Sequence, residues 1–231
     1  MKVVELYPGN ISLDIDPNIT ELSEAKIWYP RILGSRFNYV ISIATEQGKN
    51  SHDVSSPLDR YFLRAIRSAS DLIITTGKTA RSENLRSSKL APLAIFTSRP
   101  DEIDIPATLD ESTNPVIIAS QVKPTRRYPN SHLLFEPIEA KDSPSAFAEL
   151  TEKLMSASPL FEVGITTALE LCRADLLDEI CLTITGKVSV FDAKVLAQEF
   201  LNGLHCKAEL IHLLEADENF FIRFEVLKQT L

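Results

Sequence analysis

Cysteine is scarce in this chain of 231 residues, which contains only Cys172, Cys181 and Cys206. Their number is odd and they show no Cys-x-x-Cys spacing, which argues against a disulfide framework and a thiolate zinc site. The 4 histidines have no metal-ligand spacing with one another or with cysteine, so we predict no metal site. This use of cysteine favours a reducing compartment, and we expect the protein to be cytoplasmic.

Long apolar runs and an excess of basic residues are also lacking. No segment reaches the roughly 18 uninterrupted apolar residues of a membrane helix, and the first ten residues contain no apolar region of signal-peptide length. The formal net charge of -8 argues against a surface for nucleic acid or anionic membranes, because both need clustered Lys and Arg. We therefore expect no nucleic-acid or membrane partner.

The composition, 44% hydrophobic and 24% charged, is typical of a globular protein. A length of 231 residues allows one large domain or two small ones, and we find no internal repeat and no linker. We predict a single domain over residues 37–231, preceded by an N-terminal appendage over residues 1–36. Residues 20–28 of the appendage could form one short helix, and we assign no chemistry to it.

Short apolar runs recur along the predicted domain and are typical of buried parallel strands. They predict strands at residues 37–44, 71–76, 92–97, 115–119, 132–135, 160–162 and 178–185. Near the C-terminus, residues 209–214 and 220–226 flank a turn. The second of these runs alternates apolar and polar residues, as one strand of an antiparallel hairpin does.

Three helices are predicted between the strands, over residues 57–70, 145–156 and 166–173. The first has the clearest start, with Ser56 as a hydroxyl N-cap and Pro57 at the first helical position. The alternation of strands and helices predicts an α/β fold. We expect a mostly parallel central sheet, flanked by helices and ending in a C-terminal antiparallel hairpin.

Three arginines, Arg60, Arg64 and Arg67, lie at i, i+4 and i+7 of the first predicted helix. A solvated helix face explains such a row. Arg67 is the one that we also consider for a functional role.

Ligands of open α/β sheets bind outside the carboxyl ends of the strands, so the loops after Ala44, Thr76, Thr97 and Glu162 form the candidate site. Gly77-Lys78-Thr79 combines backbone N–H groups, a cation and a hydroxyl, which are the components of a phosphate cradle. The upstream glycine of a P-loop is missing from the sequence at this point, and a plain turn explains the same residues.

A second glycine, Gly164, opens a predicted helix, and the N-terminus of that helix could bind a pyrophosphate. A simple strand-to-helix turn is the alternative. Thr97-Ser98-Arg99 sets two hydroxyls and a guanidinium at a third strand end, where they suit the 2′-phosphate that separates NADP from NAD. Arginines in loops are commonly just solvated, but together the three loops predict a site for a phosphorylated dinucleotide.

Beyond these loops, the sequence resembles the riboflavin-pathway pyrimidine reductases over roughly residues 37–228. The most specific features are the block from Arg67-x-x-x-Asp71 to Gly77-x-Thr79 and the glutamate-glycine turn at Glu162-x-Gly164. The other matching residues are Tyr39, Gly48, Lys49, Ser55, Asp59, Glu83, Asn84 and the segment 176–180. The resemblance implies the dihydrofolate reductase-like fold of the reductase domain of the bifunctional deaminase-reductase. It also implies NADPH as cofactor, a small phosphorylated substrate and a homodimer.

The resemblance implies NADP contacts at Gly77, Thr79, Ser98, Arg99, Gly164, Ile165 and Thr166. It implies substrate contacts at Thr45, Ser55, Glu83, Arg86 and Glu162. The implied reaction is reduction of 5-amino-6-(5-phosphoribosylamino)uracil to its ribityl form, with hydride delivered to the ring-opened sugar carbon of an imine. Glu83 and Glu162 are the candidate catalytic residues, as the acid or as groups that orient the substrate. The alternative for both is that they cap a loop or pair with Lys or Arg.

The chain departs from the family pattern at three places. Gln47 replaces an aspartate, Glu83-Asn84-Leu85 stands for Asp-Asn-Pro, and Glu162-Val163-Gly164 stands for Glu-Gly-Gly. These departures leave open a reductase of the same fold that acts on a pterin or another substrate, or a non-catalytic relic that has lost cofactor binding. The zinc pattern of the deaminase, His-x-Glu with Pro-Cys-x-x-Cys, does not occur, so we expect another chain to deaminate.

Overall fold

The strands of this computed structural model pair into one mixed sheet. The structure describes residues 2–9, 12–16, 18, 22, 38–44, 56–85, 87–104, 114–125, 132–185 and 189–228. The strands are β1 (Lys2–Tyr7), β2 (Ser12–Asp14), β3 (Asn38–Ala44), β4 (Leu72–Thr76), β5 (Leu93–Phe96), β6 (Val116–Ser120), β7 (Leu133–Pro137), β8 (Pro159–Glu162), β9 (Glu179–Thr185), β10 (Ala208–Ala216) and β11 (Asn219–Val226). Their order across the sheet is β2-β1-β10-β11-β9-β3-β8-β4-β5-β6-β7.

The run from β9 to β7 is parallel throughout, because each neighbouring pair in it has parallel register. From β9 outward in the other direction, β11, β10, β1 and β2 pair antiparallel. The structure thus confirms the predicted α/β fold with a mostly parallel sheet and a C-terminal antiparallel hairpin.

Helices cover both faces of the sheet. They are α1 (Pro57–Ala69), α2 (Gly77–Ser82), α3 (Ser143–Lys153), α4 (Ile165–Arg173) and α5 (Val190–Gly203), with a 3₁₀ turn at Pro100–Glu102. Helix α1 starts as predicted, since the Ser56 hydroxyl accepts a hydrogen bond from the Asp59 N–H at 3.0 Å. None of the described helices is long and apolar enough to cross a membrane.

Two apolar clusters form the core, one on each face of the sheet. On the first face, α1 buries Tyr61, Phe62 and Ile66, and the Phe62 ring lies 4.7 Å from the Phe221 ring of β11. On the second face, α3, α4 and α5 pack against the alternate residues of the same strands. The sheet is therefore the middle of three layers, as its near-continuous apolar strands require.

Strands β1 and β2 and helices α2 and α5 are absent from the prediction made from the sequence. Strand β1 pairs with β10, with Val4 opposite Glu215, and Val3 is fully buried in the first cluster. Residues 2–7 and 12–14 are therefore part of the sheet. The helix predicted at residues 20–28 lies outside the described residues, and the domain boundary at residue 36 stays a prediction.

A row of polar side chains is buried in the antiparallel part of the sheet. Arg223 of β11 pairs with Glu179 of β9 at 2.6 Å, and both side chains are nearly inaccessible to solvent. His212 of β10 lies opposite Arg223, and its Nε2 is 2.7 Å from the Glu5 carboxylate of β1. This row ties the N-terminal strand to the C-terminal hairpin.

Candidate active site

Four central strands end side by side at one edge of the sheet. β3, β8, β4 and β5 are consecutive in the sheet and parallel, so their carboxyl ends point the same way. The loops predicted from the sequence to form the ligand site are those after these same four strands. In the register, Thr75 of β4 lies opposite Glu162 of β8, and Thr76 lies opposite Phe96 of β5. Ligand sites of open α/β sheets lie at this kind of edge.

Gly164 leads from β8 into α4 at a place with free space. A Cβ built on Gly164 would meet no heavy atom within 4 Å. Gly164 is the N-cap of α4 without a side-chain cap, and the next two residues, Ile165 and Thr166, are exposed. Val163 packs into the second core cluster. The first N–H groups of α4, which have no partner within the helix, therefore lie beside open space.

Gly77 is placed differently, because it is buried against β5. A Cβ on Gly77 would lie 2.5 Å from the Thr97 hydroxyl oxygen and 2.7 Å from the Thr97 Cβ. A loop is predicted after β4 from the sequence, but α2 begins directly at Gly77 with Thr76 as its N-cap. The Thr76 hydroxyl accepts a hydrogen bond from the Thr79 N–H at 3.2 Å. Gly77 thus allows α2 to pack closely on the end of β5, and the N–H of Thr79 is engaged by the cap.

The exit of β5 carries Ser98 and Arg99 at the surface. The buried Thr97 hydroxyl accepts a hydrogen bond from the Arg99 N–H at 3.0 Å, which fixes the turn. The Arg99 guanidinium is largely exposed and lies 3.3 Å from the Glu102 carboxylate. Exposed ion pairs of this kind contribute at most about 1 kcal/mol, so Arg99 can exchange Glu102 for a phosphate at low cost.

Arg67 and Glu162 form a bidentate ion pair at the end of β8. Arg67 Nε donates to Glu162 Oε1 and Nη2 donates to Oε2, both at 2.6 Å. The side chains retain 20% and 10% of their accessible surface, so the pair is largely shielded from solvent. The Glu162 carbonyl accepts a hydrogen bond from the Thr75 hydroxyl at 2.7 Å, which ties β8 to β4. Sequence reasoning named both residues, but nothing in their spacing showed that they pair.

Glu83 completes a small charged cluster with this pair. It is the C-cap of α2, and its N–H donates to the Thr79 carbonyl at 2.9 Å. Desolvation raises the pKa of the Glu83 carboxyl, the nearby charge of Glu162 raises it further, and Arg67 opposes both effects. The Glu83 side chain is exposed to solvent, and the raised pKa of its carboxyl is the direction that suits a proton donor.

The substrate contacts predicted at Thr45, Ser55 and Arg86 lie outside the described residues, as does Gln47. Among the residues that the structure does describe, no group of three or more His, Cys, Asp and Glu side chains could hold a metal ion. The described part of the candidate site is thus made of strand exits, one helix N-terminus and the cluster Arg67, Glu83 and Glu162.

Comparison with known proteins agrees with this architecture. The family model of the RibD C-terminal domain matches residues 39–189, which is more than half of the chain. The chain belongs to this family. The RibD C-terminal domain is a reductase domain of riboflavin biosynthesis, so the resemblance seen in the sequence is confirmed. None of the curated proteins is significantly similar to the chain in sequence.

Solved structures of the RibD type share the fold at low sequence identity. The Saccharomyces cerevisiae riboflavin biosynthesis reductase Rib7 superposes with a TM-score of 0.60 at 11% identity, over 88% of this chain and 100% of that protein. A pyrimidine reductase-like protein from Corynebacterium diphtheriae gives 0.59 at 14% identity, over 88% and 98%. The Thermotoga maritima diaminohydroxyphosphoribosylaminopyrimidine deaminase/5-amino-6-(5-phosphoribosylamino)uracil reductase gives 0.60 at 12%, over 89% of this chain and 60% of that one. These likenesses show the dihydrofolate reductase-like fold.

Proposed function

We propose that this protein is an NADPH-dependent pyrimidine reductase of riboflavin synthesis. Its proposed reaction converts 5-amino-6-(5-phosphoribosylamino)uracil to the ribityl form. The observation that carries the proposal is the alignment of four strand exits at one edge of the sheet, with a charged cluster of Arg67, Glu83 and Glu162 beside them. Membership of the RibD C-terminal domain family supports the reaction class.

The residues at this edge fit a dinucleotide. The open space beside Gly164, followed by the N-terminus of α4, suits a pyrophosphate, which would contact Gly164, Ile165 and Thr166. On the neighbouring exits, Gly77 and Thr79 would border the cofactor, and Ser98 and Arg99 would hold the 2′-phosphate. When bound, NADPH supplies the hydride that reduces the imine carbon of the substrate.

The protein's own part in the reaction is to position the substrate and to supply a proton. Glu83, protonated at a higher pH than an ordinary glutamate, donates that proton to the imine nitrogen while the neighbouring carbon accepts the hydride. Glu162 is held by Arg67 through both carboxylate oxygens, so we assign it a role in orienting the substrate and setting the charge around Glu83. Thr45, Ser55 and Arg86 remain proposed substrate contacts. By the same resemblance, we propose a homodimer.

Titration with NADPH, followed by its fluorescence, is the first test of the proposed function. We expect saturable binding at micromolar concentration, because the site combines a helix N-terminus with Arg99. Absence of binding would favour the alternative that the protein is a non-catalytic relic. If NADPH binds, its oxidation at 340 nm with the deaminated phosphoribosylaminopyrimidine as substrate tests the reaction. Binding without turnover of this substrate would favour a reductase of the same fold acting on a pterin or another compound, which Gln47 keeps open.

A further inference from the structure

Two arginines from neighbouring strand exits converge on one carboxylate. Across the 3₁₀ turn that follows β5, Arg99 Nη1 lies 3.3 Å from Glu102 Oε1. Arg81 belongs to α2, the helix that follows β4, and its Nη1 lies 3.9 Å from the second oxygen, Glu102 Oε2. Because β4 and β5 are adjacent and parallel, the two guanidinium groups approach the same carboxylate from different elements.

The Arg81 side chain extends towards the end of β5 rather than straight into solvent. Its Nη1 lies 3.3 Å from the point where a Cβ of Gly77 would stand, and the Thr97 hydroxyl oxygen lies 2.5 Å from the same point. The guanidinium is thus folded back towards the start of α2, the direction in which helical side chains lean. It keeps 40% of its accessible surface, so a ligand in solution can reach it.

The backbone that carries Glu102 is held in place on both sides. The Glu102 N–H donates to the Arg99 carbonyl at 3.2 Å, and Ile103 is buried in the first core cluster. Asp101 accepts hydrogen bonds from the Thr125 N–H at 3.1 Å and from the Thr125 hydroxyl at 2.8 Å. The Glu102 side chain itself is half exposed. It can therefore rotate away from the arginines while the turn stays in place.

A carboxylate between two guanidinium groups marks a place that suits an anion of higher charge. A phosphate monoester carries about -1.5 to -2 charges near neutral pH and has three acceptor oxygens, whereas the Glu102 carboxylate has a single charge. Arginine forms paired N–H hydrogen bonds with either group. Exposed ion pairs are weak, so a phosphate can take the place of the Glu102 carboxylate.

We propose that Arg81 binds the 2′-phosphate of NADPH together with Arg99, and that Glu102 occupies this place in the free protein and leaves it when the cofactor binds. The inference rests on the proposed function and names the residues that select its cofactor. Glu102 competes with the phosphate for both arginines and so lowers the affinity for NADPH. NADH lacks this phosphate and does not need to displace Glu102. Arg81 therefore favours NADPH over NADH, and Glu102 opposes this preference.

The test is isothermal titration calorimetry of the folded full-length protein with 2′,5′-ADP and with 5′-AMP, which differ in the 2′-phosphate alone. At low ionic strength, Arg81→Gln should weaken binding of 2′,5′-ADP by about two- to fivefold, and Glu102→Gln should strengthen it by a similar factor. Binding of 5′-AMP should stay unchanged in both variants. In the double variant the gain from Glu102→Gln should shrink, because one of the guanidinium groups that it frees is gone.

Two charge-matched controls come from α5, which packs on the other face of the sheet from α2. Lys194→Gln and Glu199→Gln change exposed residues of that helix. They make the same changes in net charge and should leave the affinities for both nucleotides as they are. Equal effects of Arg81→Gln or Glu102→Gln on 2′,5′-ADP and 5′-AMP would overturn the proposal, since the charges would then act on any anion. So would an affinity for 2′,5′-ADP that ignores both substitutions, or the absence of 2′,5′-ADP binding.

Ribose 5-phosphate distinguishes the second source of a phosphate monoester, the phosphate of the substrate. Binding of this compound that follows Arg81 and Glu102, when binding of 2′,5′-ADP does not, would assign the arginines to the substrate and refute the inference. The outcome is separable from that of the proposed function. Altered 2′,5′-ADP binding in a protein that does not reduce the pyrimidine would support the inference and reject the proposed reaction. Normal oxidation of NADPH with an affinity for 2′,5′-ADP that both substitutions leave unchanged would reject the inference alone.

Discussion

At the scale of single residues, the segment Arg67-x-x-x-Asp71, which resembles the reductase family, contains one residue with a structural role and one residue of the candidate site. Asp71 accepts hydrogen bonds from the Ser156 hydroxyl at 2.5 Å and from the Ala157 and Ser158 N–H groups at 2.8 and 3.1 Å. It therefore joins the start of β4 to the segment before β8. Arg67, four residues earlier, reaches Glu162 at the other end of the same strands. The two residues of this short motif thus have different roles, because Asp71 stabilises the fold and Arg67 belongs to the candidate site.

Glu83→Gln tests the proposed proton donor. The amide has the size of the carboxyl group but cannot supply the proton, so we expect kcat to fall at least about tenfold, equivalent to about 1.4 kcal/mol in the barrier. Steady-state oxidation of NADPH measures this. The matched control is Glu152→Gln, an exposed glutamate of α3, which packs on the opposite face of the sheet from the helix that carries Arg67, and it should leave kcat unchanged. Full activity of Glu83→Gln would remove this residue from the mechanism.

Glu162→Gln should shift the pH dependence of kcat. The negative charge of Glu162 raises the pKa of Glu83, whereas Arg67 lowers it. Removing the charge of Glu162 therefore lowers the pKa of Glu83 on both counts, because Arg67 also loses its partner. A proton donor is active below its pKa, so the decline of kcat at high pH should begin at a lower pH in Glu162→Gln. A decline that stays in place or moves to higher pH would contradict the coupling.

Gly77 and Gly164 should respond differently to alanine. The Cβ of Gly77→Ala collides with Thr97, so we expect the free energy of unfolding to fall by about 1–3 kcal/mol, as in other overpacked sites. Gly164→Ala has open space and an ordinary φ of -69°, and its stability should change by less than about 0.5 kcal/mol. Urea unfolding measures both values. Only Gly164→Ala is expected to weaken NADPH binding without weakening the fold, and equal stability losses would refute the distinction.

At the scale of elements, the sequence predicted the helices and strands that local residues mark. It did not predict those that form through packing or pairing with distant segments. The Ser56-Pro57 start and the short apolar strands can be read locally, and the structure confirms them. Helix α2 is only 6 residues long and forms because Gly77 packs on Thr97, a contact with no local signal. Helix α5 does carry a local start signal, the capping box of Ser189 and Asp192. Strand β1 depends on pairing with β10, over 200 residues away.

The folded protein should lose stability in acid through His212 of β10. Burial lowers the pKa of His212, an effect that outweighs the opposite influence of Glu5, and the charge of Arg223 lowers it too. The unfolded chain therefore binds a proton at His212 more readily than the folded protein. The contribution of His212 to the free energy of unfolding is then complete above the ordinary histidine pKa of about 6.5 and is lost as the pH falls below it.

Urea unfolding between pH 7.5 and 5 measures this dependence. The control is His212→Gln, which keeps a polar side chain near Glu5 but does not titrate. The variant should show a smaller loss of stability over this pH range than the unchanged protein. Parallel pH profiles for the two proteins would show that His212 makes no contribution.

At the scale of the whole molecule, the sequence predicted the components of the site but could not give their arrangement. Each strand exit was recognisable from its own residues, such as Gly164 after Glu162. The order β3-β8-β4-β5 places them together, yet β8 follows β4 in the chain by more than 80 residues and is inserted between β3 and β4. Such long-range pairing leaves no local trace. The pair of Arg67 and Glu162, 95 residues apart, is a consequence of the same arrangement.

A cofactor bound across the ends of β3, β8, β4 and β5 should stabilise the whole sheet, because it would contact several strands at once. At 100 times its Kd, a cofactor that binds only the folded state adds about 2.7 kcal/mol of stability. NADPH should therefore raise Tm clearly, and NADH should raise it less at the same concentration because it lacks the phosphate proposed to contact Ser98 and Arg99. In Arg99→Ala the two cofactors should give similar shifts. Lys123→Ala, a change to another exposed cation, is the matched control and should preserve the difference. Equal shifts with NADPH and NADH in the unchanged protein would show that the β5 exit does not select the phosphorylated cofactor.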